Sequence, residues 1–105
     1  MVKIPAKIRA IIENYISVLR DNNIPIKNAY LFGSYAKGNN NELSDIDIAL
    51  ISDFFEGIRI KDKDKIRRIT LSVSSNLEIL PFSPDDFSLE NPLAKEIIET
   101  GIRLV

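Results

Sequence analysis

Gly33-Ser34 and Asp45-Ile46-Asp47 are the two places in this 105-residue chain where residue type and spacing ask for chemistry. Residues two apart on a strand share a face, with Cα atoms roughly 6.5 Å apart. Asp45 and Asp47, at the start of the run DIDIALI, therefore point the same way. Two ionised carboxylates about 5 Å apart repel by about 3 kcal/mol at an effective dielectric of about 20. A structural role would require basic partners beside them, whereas a divalent cation removes the conflict and makes the pair useful. Magnesium takes one or two carboxylates, keeps several waters and fills its other positions with substrate phosphates.

The Gly-Ser element is the matching half. Glycine at the end of a strand lets the backbone turn sharply and approach a ligand with no Cβ in the way. A helical turn starting after it would aim free N–H groups outward, an arrangement suited to phosphate oxygens, and the Ser34 hydroxyl adds a donor. Lys37 and Lys27 are the nearby cations, with Lys37 better placed for a triphosphate and equally compatible with a solvated surface position. Ser44 is expected to cap the start of the following strand rather than touch a substrate.

Composition narrows the chemistry further. The chain has no histidine and no cysteine, which excludes imidazole bases, disulfides and thiolate metal sites. Any metal must be held by oxygen, which favours Mg2+ or Mn2+. Fourteen basic and 15 acidic residues leave a net charge of −1, which argues against an extensive nucleic-acid surface. No apolar run reaches the roughly 18 residues of a membrane span, and no signal-peptide pattern opens the chain. The expectation is a cytoplasmic protein with a single domain over residues 1–105.

The elements that must position these residues follow from periodicity. Ile8, Ile11, Ile12, Tyr15, Ile16 and Leu19 make one helical stripe, started at Pro5 and ended by Asp21-Asn22-Asn23. IKNAYLF reads as a buried strand running into Gly33, and DIDIALI as a central strand. DFFEGIRI, residues 53–60, is compatible with a loop, a lid or an edge strand. Residues 61–75 carry a helical face of Ile66, Ile69 and Val73, and their KDKDK opening reads as a solvated helix start. NLEIL is a third strand, with Glu78 and Leu80 facing opposite to Leu77 and Ile79, and PFSPDDF is a turn. Asn91, Pro92 and Gly101 punctuate a last helix, and IRLV suits a closing edge strand. The order of elements predicts a compact α/β (α+β) fold.

The pattern Gly33-Ser34, ten residues, Asp45-x-Asp47, flanked by LFGSYAKG and SDIDIAL, resembles the signature of the polymerase-β-like nucleotidyltransferase superfamily. It is most similar to the minimal nucleotidyltransferase (MNT) branch of HEPN/MNT toxin–antitoxin pairs, over nearly the whole chain. The resemblance implies a small mixed sheet flanked by helices and a metal site completed by a third carboxylate, for which Glu78 is the matching position. Glutamate there is one methylene longer than the family's aspartate.

By that resemblance, Asp45, Asp47 and Glu78 are the expected catalytic and metal-holding residues for two ions. Gly33, Ser34 and Lys37 are the expected nucleotide-binding residues. The implied activity is AMP transfer from ATP to a protein hydroxyl, a tyrosine of a cognate HEPN toxin, with this chain as the antitoxin. Two alternatives stay open from the sequence: an antitoxin that neutralises by contact alone, and a catalytic subunit acting on RNA or a small molecule.

Overall fold

The computed structural model describes residues 4–41 and 43–105. In chain order the elements are α1 (Ala6–Asp21), β1 (Asn28–Phe32), α2 (Ser34–Lys37), β2 (Ile46–Ile51), α3 (Arg59–Val73), β3 (Leu77–Phe82), α4 (Pro92–Thr100) and β4 (Ile102–Arg103). The four strands form one mixed sheet in the order β3-β2-β1-β4. β1 lies antiparallel to β2 and β4, whereas β2 and β3 run parallel. α3 is the crossover that a parallel pair requires.

Strand alternation sends the two faces of the sheet to two cores. Ala29, Leu31, Ile46, Ile48, Leu50, Leu77 and Ile79 pack with Ile12, Tyr15, Ile16 and Leu19 of α1 and Ile66 of α3. The other face carries Ala49, Ile51 and Phe82, which pack against Ala94 and Ile97 of α4. A phenol–hydroxyl bond joins the first layer: Tyr15 Oη lies 2.7 Å from Thr70 Oγ1. Burial pushes the Tyr15 phenol up to about 12, against the opposing effect of the Thr70 hydrogen bond.

The helix ends are where the sequence pattern places them, with differences of detail. Pro5 is the N-cap of α1 rather than part of its first turn. Asn91 Oδ1 accepts from the N–H groups of Leu93 and Ala94 at 3.0 and 3.4 Å, a cap worth about 1 kcal/mol. Gly101 follows α4 in extended rather than left-handed backbone, with φ −81°. Its glycine is required by proximity, because a Cβ would sit 2.5 Å from Ile97 O and 3.0 Å from Leu31 O.

β3 runs two residues past NLEIL, since Pro81 and Phe82 still pair with Leu50 and Ile51. Proline is tolerated because β3 is an edge strand. Phe82 is anchored by Phe87, with ring centroids 5.1 Å apart.

Candidate active site

Three strand ends converge at one end of the sheet: the end of β1 and the starts of β2 and β3. Phe32 pairs with Asp47, and Asp47 pairs with Glu78, so Glu78, Asp47 and the β1 terminus form a row across three strands. Asp45 precedes β2 by one residue, on the same face as Asp47. The amide of Ile46 fixes this junction by donating to Asn76 O at 2.9 Å. Ser44 closes the preceding loop, accepting from the Asn41 N–H at 2.9 Å through its hydroxyl. α4 covers the other end of this face, and the carboxylate row stays accessible, with Asp45 and Glu78 exposed.

Gly33 joins the two sequence motifs into one site. Its φ of 75° is a left-handed value, and a Cβ there would overlap Asp47 Oδ2. Glycine therefore serves both the turn and the close approach of backbone to carboxylate. α2 follows as a single turn, with the N–H groups of Ala36 and Lys37 both donating to Gly33 O at 3.1 Å. The N–H groups of Ser34 and Tyr35 have no protein acceptor among the described residues, as expected for a first turn.

The electrostatics of the row are unfavourable by design of position. Burial raises the Asp47 carboxyl above its ordinary range, and the charges of Asp45 and then Glu78 raise it further. Neither Asp45 nor Asp47 has a side-chain hydrogen bond or ion pair among the described residues. Glu78 does: its Oε1 lies 3.2 Å from Lys63 Nζ of α3, which reaches round the sheet edge. Among the described residues no three carboxylates converge tightly enough to form a ready-made metal cage. Two unpaired aspartates, with a third carboxylate in register, nevertheless fit a cation that keeps waters and takes phosphate oxygens.

Lys37 ends α2, exposed, just past the end of β1 and so at the same end of the sheet as Asp47. Lys27 does not join it. It precedes β1, and its N–H donates to Ile51 O at 2.9 Å, which places it at the opposite end of the sheet from Asp47. Residues 52–58 also lie at that far end, following β2, and form a loop rather than a strand. Phe55 is buried in the core beneath it.

Asp62 is what the sequence reading missed. It is fully buried, not solvated, and its Oδ1 and Oδ2 accept from the N–H groups of Glu56 and Gly57 at 2.9 Å each. The available signal was spacing, since Asp62 stands four residues before Ile66 and so on the inward stripe of α3.

Residues 13–105 match the family described as Polymerase beta, Nucleotidyltransferase. The chain belongs to that family. No curated protein sequence matches it significantly. Several solved structures share the fold of this nucleotidyltransferase. A crystal structure of a toxin–antitoxin with AMP-PNP is 28% identical, with a TM-score of 0.62, over 89% of this chain and 72% of that one. A protein of Sulfolobus solfataricus assigned as a nucleotidyltransferase is 15% identical, with a TM-score of 0.63, over 92% and 78%. A mutant of the toxin–antitoxin MntA-HpeT is 26% identical, with a TM-score of 0.55, over 89% and 70%. Family membership implies a nucleotide substrate, and the row of Asp45, Asp47 and Glu78 and the Gly33-Ser34 turn all lie within the matched residues.

Proposed function

We propose that this chain transfers AMP from ATP to a hydroxyl of a partner protein, a tyrosine of a cognate HEPN-type toxin, and so acts as its antitoxin. The observation that carries the reading is the contact between Gly33 and Asp47, which sets a phosphate-suited turn against unpaired carboxylates. The toxin–antitoxin neighbours support the partner class, and AMP-PNP in one of them supports an adenosine triphosphate as donor. One MntA-HpeT mutant replaces a tyrosine, and another replaces two aspartates spaced one residue apart. That spacing is the one found here in Asp45-x-Asp47.

In this scheme the Ser34 and Tyr35 N–H groups, the Ser34 hydroxyl and Lys37 seat the β- and γ-phosphates. Asp45 and Asp47 would hold the cations, with Glu78 turning from Lys63 to complete the set. Two Mg2+ or Mn2+ ions bound there would supply the charge that offsets the negative charge developing on the transferred phosphate. The acceptor oxygen bonds to the α-phosphorus as the bond to the β-phosphate oxygen breaks, and pyrophosphate leaves. Glu78, on the acceptor's side in this scheme, would help remove the acceptor proton. None of the residues assigned to this site reads the adenine base.

The test combines the purified chain, its partner and Mg2+ with ATP labelled at the α- or the γ-phosphate. Label passing to the partner from the α position only, and absent with Asp45→Asn/Asp47→Asn, is the expected result. Label entering RNA or a small molecule instead would move the activity to another acceptor. A partner neutralised without any label transfer would make the chain a contact antitoxin.

A further inference from the structure

The row of site residues has a direction. Across β3, β2 and β1 it runs Glu78, Asp47, Gly33. Nucleotidyl transfer is an in-line displacement, with attacking and leaving oxygens on opposite sides of the phosphorus. A triphosphate seated at Gly33-Ser34 sends pyrophosphate out on the β1 side. The acceptor must then arrive from beyond Glu78, at the free edge of β3.

That edge borders a groove of about 280 Å³ between β3 and α3, lined by Lys63, Arg67, Thr70, Leu71, Leu77 and Glu78 among others. Its helical wall is the chain's most basic element. α3 carries six basic and two acidic residues, a net +4 in a chain whose total is −1, which leaves −5 for all the rest. The other wall is the side of β3 that faces no strand among the described residues, where backbone N–H and C=O groups are open to pairing. Leu71 adds an apolar rim, being 61% exposed. Arg67 is exposed, 2.6 Å from Asp64, and an exposed pair of that kind is easily exchanged.

We propose that this groove docks the acceptor, and that its occupant is an acidic, extended segment of the partner protein. The proposal rests on the transferase reading above. The segment adds to β3 as a further strand, sets carboxylates against Lys63 and Arg67, and presents its hydroxyl at Glu78. By taking Lys63 as its own counter-ion, it also frees the Glu78 carboxylate for the site. Nucleic acid, the other polyanion, is disfavoured because no aromatic side chain among the described residues lines the groove for bases to stack on.

The probes are fluorescent random copolymers of Glu with Tyr and of Lys with Tyr, measured by anisotropy on the full chain without ATP or metal. The Glu-Tyr copolymer should bind at least about tenfold more tightly than the Lys-Tyr one. Arg67→Glu should weaken it about tenfold, Arg67→Gln by less, and Arg9→Glu, exposed on α1, by under about twofold. Thermal melts establish that each variant is folded.

Equal weakening by Arg9→Glu and Arg67→Glu would overturn the groove, as would displacement of the copolymer by oligouridylate through Arg67. AMP transfer to a protein target that Arg67→Glu leaves undiminished overturns the groove and upholds the transfer reading. Copolymer binding that follows Arg67 in a chain that transfers no AMP upholds the groove and overturns the transfer reading.

Discussion

Asp62 and Asp47 are two aspartates at opposite ends of the same sheet, and the molecule treats them in opposite ways. Asp62 is wholly buried and fully served: two backbone N–H groups donate to it at 2.9 Å, and Lys65 Nζ lies 3.7 Å away. Asp47 is only partly buried, receives no donor among the described residues, and has Asp45 and Glu78 as its charged neighbours. Folding explains the first aspartate completely. The second is left in a conflict that folding does not resolve, and such an unpaired carboxylate is a mark of a site made for something outside the chain.

Substitutions at the two aspartates should have opposite consequences. Asp47→Asn should lower AMP transfer by at least about a thousandfold, or roughly 4 kcal/mol of transition-state stabilisation, with the fold intact. Transfer at the wild-type rate would remove Asp47 from the site. Asp62→Ala should do the reverse. It strands two N–H groups and should lower unfolding free energy by about 3 kcal/mol in denaturant titrations, with nucleotide binding retained by the folded fraction. An Asp62→Ala protein of wild-type stability would contradict the structural role.

Gly33→Ala tests how tightly the two motifs are joined. It should destabilise by about 2 kcal/mol, through left-handed backbone and collision with the Asp47 carboxylate. In an Asp47→Ala background the collision is gone and only the backbone share should remain, a non-additivity that a double-mutant cycle reads directly. Additive effects would mean that the two residues are not in contact.

The smallest effect is on pH dependence in metal-free protein. The folded-state value of Asp47 lies above its unfolded value, so the native state holds that proton more tightly. The resulting contribution to stability is fully present below the unfolded value of 3.8 and is lost as pH rises through the folded one. Asp47→Asn should therefore match wild type in acid and become the more stable protein as neutrality is approached. A wild type that gains on the variant over that range would give the shift the wrong sign.

Much of this arrangement was legible in the sequence, for reasons that differ by residue. Strand period placed Asp45 with Asp47, and Glu78 opposite Leu77 and Ile79, because alternation is local. The Asn91-Pro92 helix start was legible because capping depends on a few adjacent residues. That Gly33 touches Asp47 was only implicit, since 14 positions separate them and the contact needs the β1–β2 register. Lys63 with Glu78, and Lys27 at the wrong end of the sheet, likewise depend on tertiary placement. KDKDK misled because composition averages over a segment, whereas one of its residues faces inward with Ile66.

The most direct test is a pair of thermal melts at neutral pH, on wild type and Asp47→Asn, each without and with Mg2+ and AMP-PNP. The two proteins should exchange order. Without ligand the variant melts higher, because a like-charge conflict has been removed; with ligand the wild type overtakes it, because a bound cation and triphosphate reward the carboxylate. Parallel upward shifts in both proteins, with their order unchanged, would contradict the assignment of Asp47 to a metal–nucleotide site.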